Sequence, residues 1–140
     1  MGLDEAAMIV AGIGFRRGAE ASEIVALIRR ALAEAGLAPG RLAAIATADD
    51  RAGDAALCEA ASAFGLLPQG IAPEALLACD ARVPTRSARI EALRGVGSLC
   101  EAAALACAGP ESRLALDRIA SGSVTCALAF RPETRQRAEG

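Results

Sequence analysis

A chain of 140 residues with 15 basic and 17 acidic side chains and a formal net charge of −2 fits one domain and excludes the broad positive surface of a nucleic-acid-binding protein. Hydrophobic residues make up 54%, so disorder for want of apolar material is excluded; 36 of them are alanine and aromatics are only 2%, which argues against base stacking and leaves the core to Leu, Ile, Val and flat alanine faces. There is no His and no Lys (every basic side chain is Arg), which removes Ser-His-Asp triads, His-containing zinc sites, lysine Schiff bases and an intact P-loop, and keeps the residue best suited to gripping carboxylates or phosphates.

Residues 6–13 are a continuous apolar run ending in Gly12-Ile13-Gly14, which predicts a buried strand running into a tight turn. Ile24, Leu27, Ile28 and Leu32 fall at helical spacing and predict a helix over about 20–35, terminated by Gly36 and Pro39. Residues 41–47 predict a second strand, 48–54 a polar loop, and the stretch to Phe64 a second helix closed by Gly65. A third strand is expected over 66–71, where Pro68 suits a strand start or a sheet edge. Strands alternating with helices imply right-handed crossovers and a parallel sheet.

Beyond this the pattern is less regular. Residues 73–79 read as one or two helical turns, 80–88 as an arginine-containing loop and 87–94 as a short helix. Ser98 with Glu101 three residues on predicts a capping box, opening an alanine-rich helix that ends near Ala108 before Gly109-Pro110. Residues 113–120 and 123–130 predict the two strands of a hairpin about Ser121-Gly122, followed by a polar, loose tail over 131–140. The expected fold is a single α/β domain over 1–130, with a mostly parallel open sheet of about five strands, helices on both faces and a C-terminal β-hairpin. No apolar run reaches the roughly 18 residues a bilayer demands. Residues 1–8 lack a signal-type segment, so a cytoplasmic location is expected. The five cysteines (Cys58, Cys79, Cys100, Cys107, Cys126) form no CxxC pair and read as reduced thiols, mostly in the core, with no metal site.

Four places carry chemical interest. The first is the Gly12–Gly18 segment, where Gly12 and Gly14 permit sharp backbone turns and Arg16 and Arg17 stand beside a helix start, a setting for an anionic group. Its GxGxxxG spacing is not a dinucleotide fingerprint, and a tight turn with two solvated arginines is the alternative. The second is Thr47 with Asp49, Asp50, Arg51 and Asp54. Three close carboxylates are able to raise one pKa for acid–base work, while a helix N-cap with dipole-favoured acids needs the same residues. The third, Gly97-Ser98, offers helix N-terminal amides to an anion or is an ordinary capped start. The fourth, Ser121-Gly122 and the polar residues after it, reads by itself only as a turn.

Together, Gly12-Ile13-Gly14-Phe15-Arg16-Arg17-Gly18, Ala46-Thr47-Ala48-Asp49, Val83-Pro84-Thr85, Val96-Gly97-Ser98-Leu99-Cys100-Glu101-Ala102-Ala103-Ala104 and Gly122-Ser123-Val124-Thr125-Cys126-Ala127-Leu128-Ala129 stand in the order and at about the spacing of the CobE/CbiG C-terminal domain family of cobalamin (vitamin B12) biosynthesis. The chain resembles that family over about residues 8–130. The resemblance implies a role in building the corrin ring. CbiG, of the anaerobic route, opens the ring-A lactone of a cobalt-precorrin and releases acetaldehyde, and has further N-terminal domains. A free-standing C-terminal domain looks like CobE of the aerobic route.

A tetrapyrrole-binding or carrier role follows most naturally, since precorrins set many carboxylates around a large apolar macrocycle. Its ligand contacts are expected from Gly12, Gly14, Arg16, Arg17, Thr47, Asp49, Arg51, Gly97, Ser98, Ser121 and Gly122. The alternative is a CbiG-like hydrolase or isomerase with Asp49, Asp50 or Asp54 as base, and a third reading is a docking module using a helix face around Leu76, Leu77 and Leu105. Relatives commonly carry Lys at the position of Arg51 and Glu at that of Asp54; Arg preserves anion binding and removes proton transfer. No cofactor is expected. The partners expected are a precorrin or corrin intermediate and other enzymes of the pathway, with a homodimer left open and neither nucleic acid nor membrane.

Overall fold

The computed structural model describes residues 8–132. Its first strand, β1 (Met8–Phe15), is buried almost throughout and alternates its side chains between two cores. Ile9, Ala11, Ile13 and Phe15 belong to one; Val10 belongs to the other. Helix α1 (Ala21–Glu34) turns the predicted stripe of Ile24, Leu27, Ile28 and Leu32 onto the first core. There it meets α2 (Ala55–Ser62), which contributes Leu57, Ala60 and Ala61. Strands β2 (Leu42–Ala48) and β3 (Pro68–Ile71) precede and follow α2, with Pro68 opening the edge strand as expected.

The opposite face is covered by α3 (Pro73–Ala78) and α5 (Leu99–Ala108). Between them α4 (Ala88–Arg94) buries none of its own residues. Leu76 and Leu105 are core residues of this layer and only Leu77 is exposed, so the helix face expected to serve docking is mostly spent on the fold. Strands β4 (Arg113–Ser121) and β5 (Val124–Arg131) form the expected hairpin, turned by Gly122 at φ +56°.

The sheet order is β3-β2-β1-β5-β4. The β1–β2 and β2–β3 pairs are parallel, whereas β1–β5 and β5–β4 are antiparallel. The sheet is therefore mixed rather than mostly parallel. The hairpin was legible, but not the slot its second strand takes: α5 carries the chain across the sheet to the far edge, and the turn folds β5 back against β1. The predicted capping box is also absent. Ser98 caps nothing with its side chain, and Glu101 is wholly buried with partners elsewhere. Arg131 ends β5; the rest of the predicted loose tail after Pro132, and the first residues of the predicted first strand, lie outside the described residues. Among the described residues no helix is long and apolar enough to cross a membrane.

Candidate functional site

The parallel strands β1 and β2 end on the same side of the sheet, and their loops meet there. After Phe15 the chain turns through Arg16, Arg17 and Gly18 (φ +88°). The Arg16 amide donates to the Ser123 carbonyl at 2.9 Å, tying this loop to the hairpin turn. The Asp49 amide donates to the Ile71 carbonyl at 3.0 Å, and the buried Thr47 hydroxyl donates to the Ile13 carbonyl at 2.7 Å. Helix α4 stands opposite. The result is a cleft of about 570 Å³ at the carboxyl ends of the parallel strands, where β2 leaves β1 on one side and β5 flanks it on the other. That volume falls within the range of about 300–1,000 Å³ typical of small-molecule sites.

Six arginines line the cleft: Arg16, Arg17, Arg51, Arg89, Arg94 and Arg118. No Asp or Glu does. Arg94 Nη1 donates to Asp50 at 2.8 Å across the mouth. Arg51 Nη1 donates to the Phe15 carbonyl at 3.0 Å, and its guanidinium lies 4.1 Å from the Phe15 ring centroid. Its Nη2 is buried without a hydrogen-bond acceptor, with the Asp54 carboxylate 3.9 Å away. Among the described residues no carboxylate stands within ion-pair distance of Arg16, Arg17, Arg89 or Arg118. Apolar surface comes from Phe15, Ile90, Leu93, Leu99 and Val124, with Leu93 66% exposed. Unpaired planar cations around an apolar floor are complementary to an anionic ligand with an apolar body.

The carboxylates of the second loop have other work. Asp54 caps α2, its Oδ1 accepting from the Ala56 amide at 2.9 Å. The hydrogen bond from Arg94 holds the Asp50 carboxyl below the usual carboxylate range, against the opposing effect of desolvation. Asp49 is exposed. None of the three lines the cleft; the carboxylate nearest its hairpin side is that of Glu23, which accepts from the Ser123 amide at 3.1 Å.

Of the expected ligand residues, the structure brings Gly14, Arg16, Arg17, Arg51 and Gly122 to the cleft and leaves out Gly12, Thr47, Asp49, Gly97, Ser98 and Ser121. Gly12 lies within β1 rather than in a turn. A Cβ there would sit 1.9 Å from the Cys100 carbonyl oxygen and 2.7 Å from the Ala104 nitrogen, so Gly12 is the position that lets α5 lie directly on the sheet. The Gly97 amide already donates to Asp80 Oδ1 at 2.8 Å, a bond that, with Arg86, holds the Asp80 carboxyl below its ordinary value, and Ser98 is wholly buried.

Sequence reasoning missed Arg89, Arg94 and Arg118 as site residues. The first two had a signal: Arg89, Ile90, Leu93 and Arg94 recur at the spacing of one helix face, mixing charge with apolar bulk. Arg118 had none, because which face of β4 meets the cleft is set by the pairing of β4 with β5 and of β5 with β1.

Comparison with known proteins follows the same architecture. The family model for the cobalamin synthesis G C-terminus matches residues 9–129. The protein CobE of Sinorhizobium sp. is 40% identical over 122 residues, which cover 86% of this chain and 79% of that protein. The crystal structure of CobE, a protein from the cobalamin (vitamin B12) biosynthetic pathway, superposes with a TM-score of 0.85 at 31% identity, covering 94% of this chain and 95% of that one. The cobalamin biosynthesis protein chiG from Agrobacterium tumefaciens str. C58 superposes with a TM-score of 0.70 at 35% identity, covering 87% of this chain and 97% of the other.

Proposed function

This chain belongs to the cobalamin synthesis G C-terminus family, and from that premise we propose that it is a protein of the aerobic corrin pathway that binds a carboxylate-rich precorrin or corrin intermediate in the arginine-lined cleft and holds it without converting it. The observation that carries this reading is a cleft lined by six arginines, four of them without an ion-pair partner among the described residues, and by no carboxylate. Peripheral carboxylates of the ligand take the place of missing counterions on Arg16, Arg17, Arg89 and Arg118. The ring covers Ile90, Leu93, Leu99 and Val124. The carboxylates favour carriage over hydrolysis, because lactone opening needs a base beside the substrate, Asp50 and Asp54 are committed to Arg94 and to the α2 N-terminus, and Asp49 stands outside the cleft lining. Such a carrier works in the cytoplasm and delivers its cargo to the next enzyme of the pathway.

The test is an absorbance titration with a metal-free corrin bearing free carboxylates, checked by co-elution on gel filtration. Saturable binding with the ligand released unchanged supports carriage, a new spectrum in the released ligand makes the protein an enzyme, and no binding removes the cleft from consideration. In the variant Arg16→Ala with Arg17→Ala, two exposed charge contacts worth about 0.5–1 kcal/mol each are lost. Affinity is then expected to fall roughly 5- to 30-fold.

A further inference from the structure

We propose that Glu101 is the positioning residue of the arginine wall, a buried carboxylate that fixes both the approach to α4 and the bulge from which Arg118 enters the cleft; this rests on the binding reading above. Glu101 is wholly buried on α5 and no cation pairs with it among the described residues. Its partners are three neutral donors from two distant segments. Oε1 accepts from the Thr85 amide at 3.1 Å, while Oε2 accepts from the Thr85 hydroxyl at 2.9 Å and from the Arg118 amide at 2.8 Å. A buried carboxylate without a counterion is a costly way to satisfy neutral donors, and both segments it holds carry cleft residues.

On the β4 side, Leu116 pairs with Leu128 and Ile119 with Cys126, so Asp117 and Arg118 together stand opposite Ala127. Such a bulge frees a backbone donor and re-aims a side chain. Here the donor left outside the ladder is the Arg118 amide, taken up by Glu101, and the Arg118 side chain lines the cleft together with Ala120 two residues on. On the other side, Thr85 stands just ahead of α4. That helix has no fully buried residue; Ile90 packs on the second core, and polar contacts tie the rest, among them the Ser87 amide to the Gly97 carbonyl at 2.7 Å and Arg94 to Asp50. Without the Glu101 anchor, Arg89 and Arg94 lose their fixed distance from Arg118.

Glu101→Gln tests this. The amide keeps the shape but must turn its NH2 toward either the Thr85 or the Arg118 amide, leaving one backbone donor unpartnered. Hydrogen exchange in the free protein should quicken at that amide with α1 unchanged, and affinity for a metal-free corrin with free carboxylates should fall roughly tenfold. Combined with Arg118→Ala, the loss should be smaller than the product of the two single losses, a coupling that a purely structural role does not produce. Wild-type affinity in a folded Glu101→Gln protein, or losses that multiply, overturn the proposal. Should that variant fail to fold, Thr85→Val removes only the hydroxyl donor and should weaken binding a few-fold; unchanged affinity there overturns it too. Corrin binding absent from the parent, with exchange still quickened in Glu101→Gln, overturns the carrier reading and leaves the positioning role standing.

Discussion

Replacing Gly12 by alanine separates its packing role from a ligand-contact role. The added Cβ would lie 1.9 Å from the Cys100 carbonyl oxygen, 2.7 Å from the Ala104 nitrogen and 2.9 Å from the Ala104 Cβ. The nearest two are helix backbone, with no rotamer to move aside. Ordinary contact needs about 3.5 Å, so α5 must retreat by roughly 1.5 Å, and a gap of even 0.5–1 Å already forfeits about a quarter to a half of each dispersion contact. Those contacts hold Val10, Ala46, Ala102, Ala103, Ala104, Leu105 and Ala129 together in the second core. The expected cost is about 3 kcal/mol, the upper part of the range for overpacked cores. For a domain of this size that corresponds to a Tm lower by about 10 °C. Thermal unfolding followed by circular dichroism reads it directly. Gly53→Ala is the control, since Gly53 has open space around its would-be Cβ and no positive φ; its Tm should stay within about 2 °C of the parent, as for ordinary surface changes. A Gly12→Ala protein with the parent's Tm would refute the close approach of α5. If it also lost corrin binding, Gly12 would be a ligand contact after all.

Three further outcomes follow from the same geometry. Asp49→Asn should leave corrin affinity unchanged, while Asp50→Asn frees Arg94 from an exposed pair and should tighten binding about twofold; loss of a measurable turnover in either variant would identify a base and sink the carrier reading. Because Arg94 depresses the Asp50 carboxyl in the folded state, the stabilisation from that pair is present above the unfolded value of about 3.9 and lost as pH falls through the folded one. The protection factors over α4, meaning exchange corrected for the intrinsic amide rate, should accordingly be flat from neutral pH down to about 5 and fall only in stronger acid, and a fall already between neutral pH and that point would exclude the Arg94–Asp50 tie. Burial pushes the Cys79 thiol up, Cys100 to about 11 and Cys126 well above its ordinary value. Burial raises the half-buried Cys107 as well, so in the native protein at mildly alkaline pH a thiol reagent should react quickly with no more than Cys58, and with all five cysteines after unfolding. Rapid native labelling of Cys100 would contradict the packing of α5 on the sheet, and of Cys126 the packing of the first core, where it lies with the α1 side chains.

Much of this architecture was visible in the amino-acid order alone. The stripe of Ile24, Leu27, Ile28 and Leu32, the apolar run of β1, Pro68 at an edge strand and the two runs about Gly122 each follow from a period or a turn preference spanning a few residues. The family, too, was legible, because five short motifs kept their order and spacing. Arg16, Arg17 and Arg51 were recognisable as anion-binding candidates from side-chain chemistry at strand ends. What tertiary structure alone decided lies in pairings across long stretches of chain. The register of β5 against β1 made the sheet mixed, and the approach of α5 turned Gly12 from an apparent turn glycine into a packing one. Glu101, which stood at capping-box spacing from Ser98, instead reaches Thr85 and Arg118. The cleft itself joins Arg16 to Ser123 and Asp50 to Arg94. Local sequence sets which face of an element is apolar, but the cleft is a sum of contacts between elements, and those depend on which faces meet.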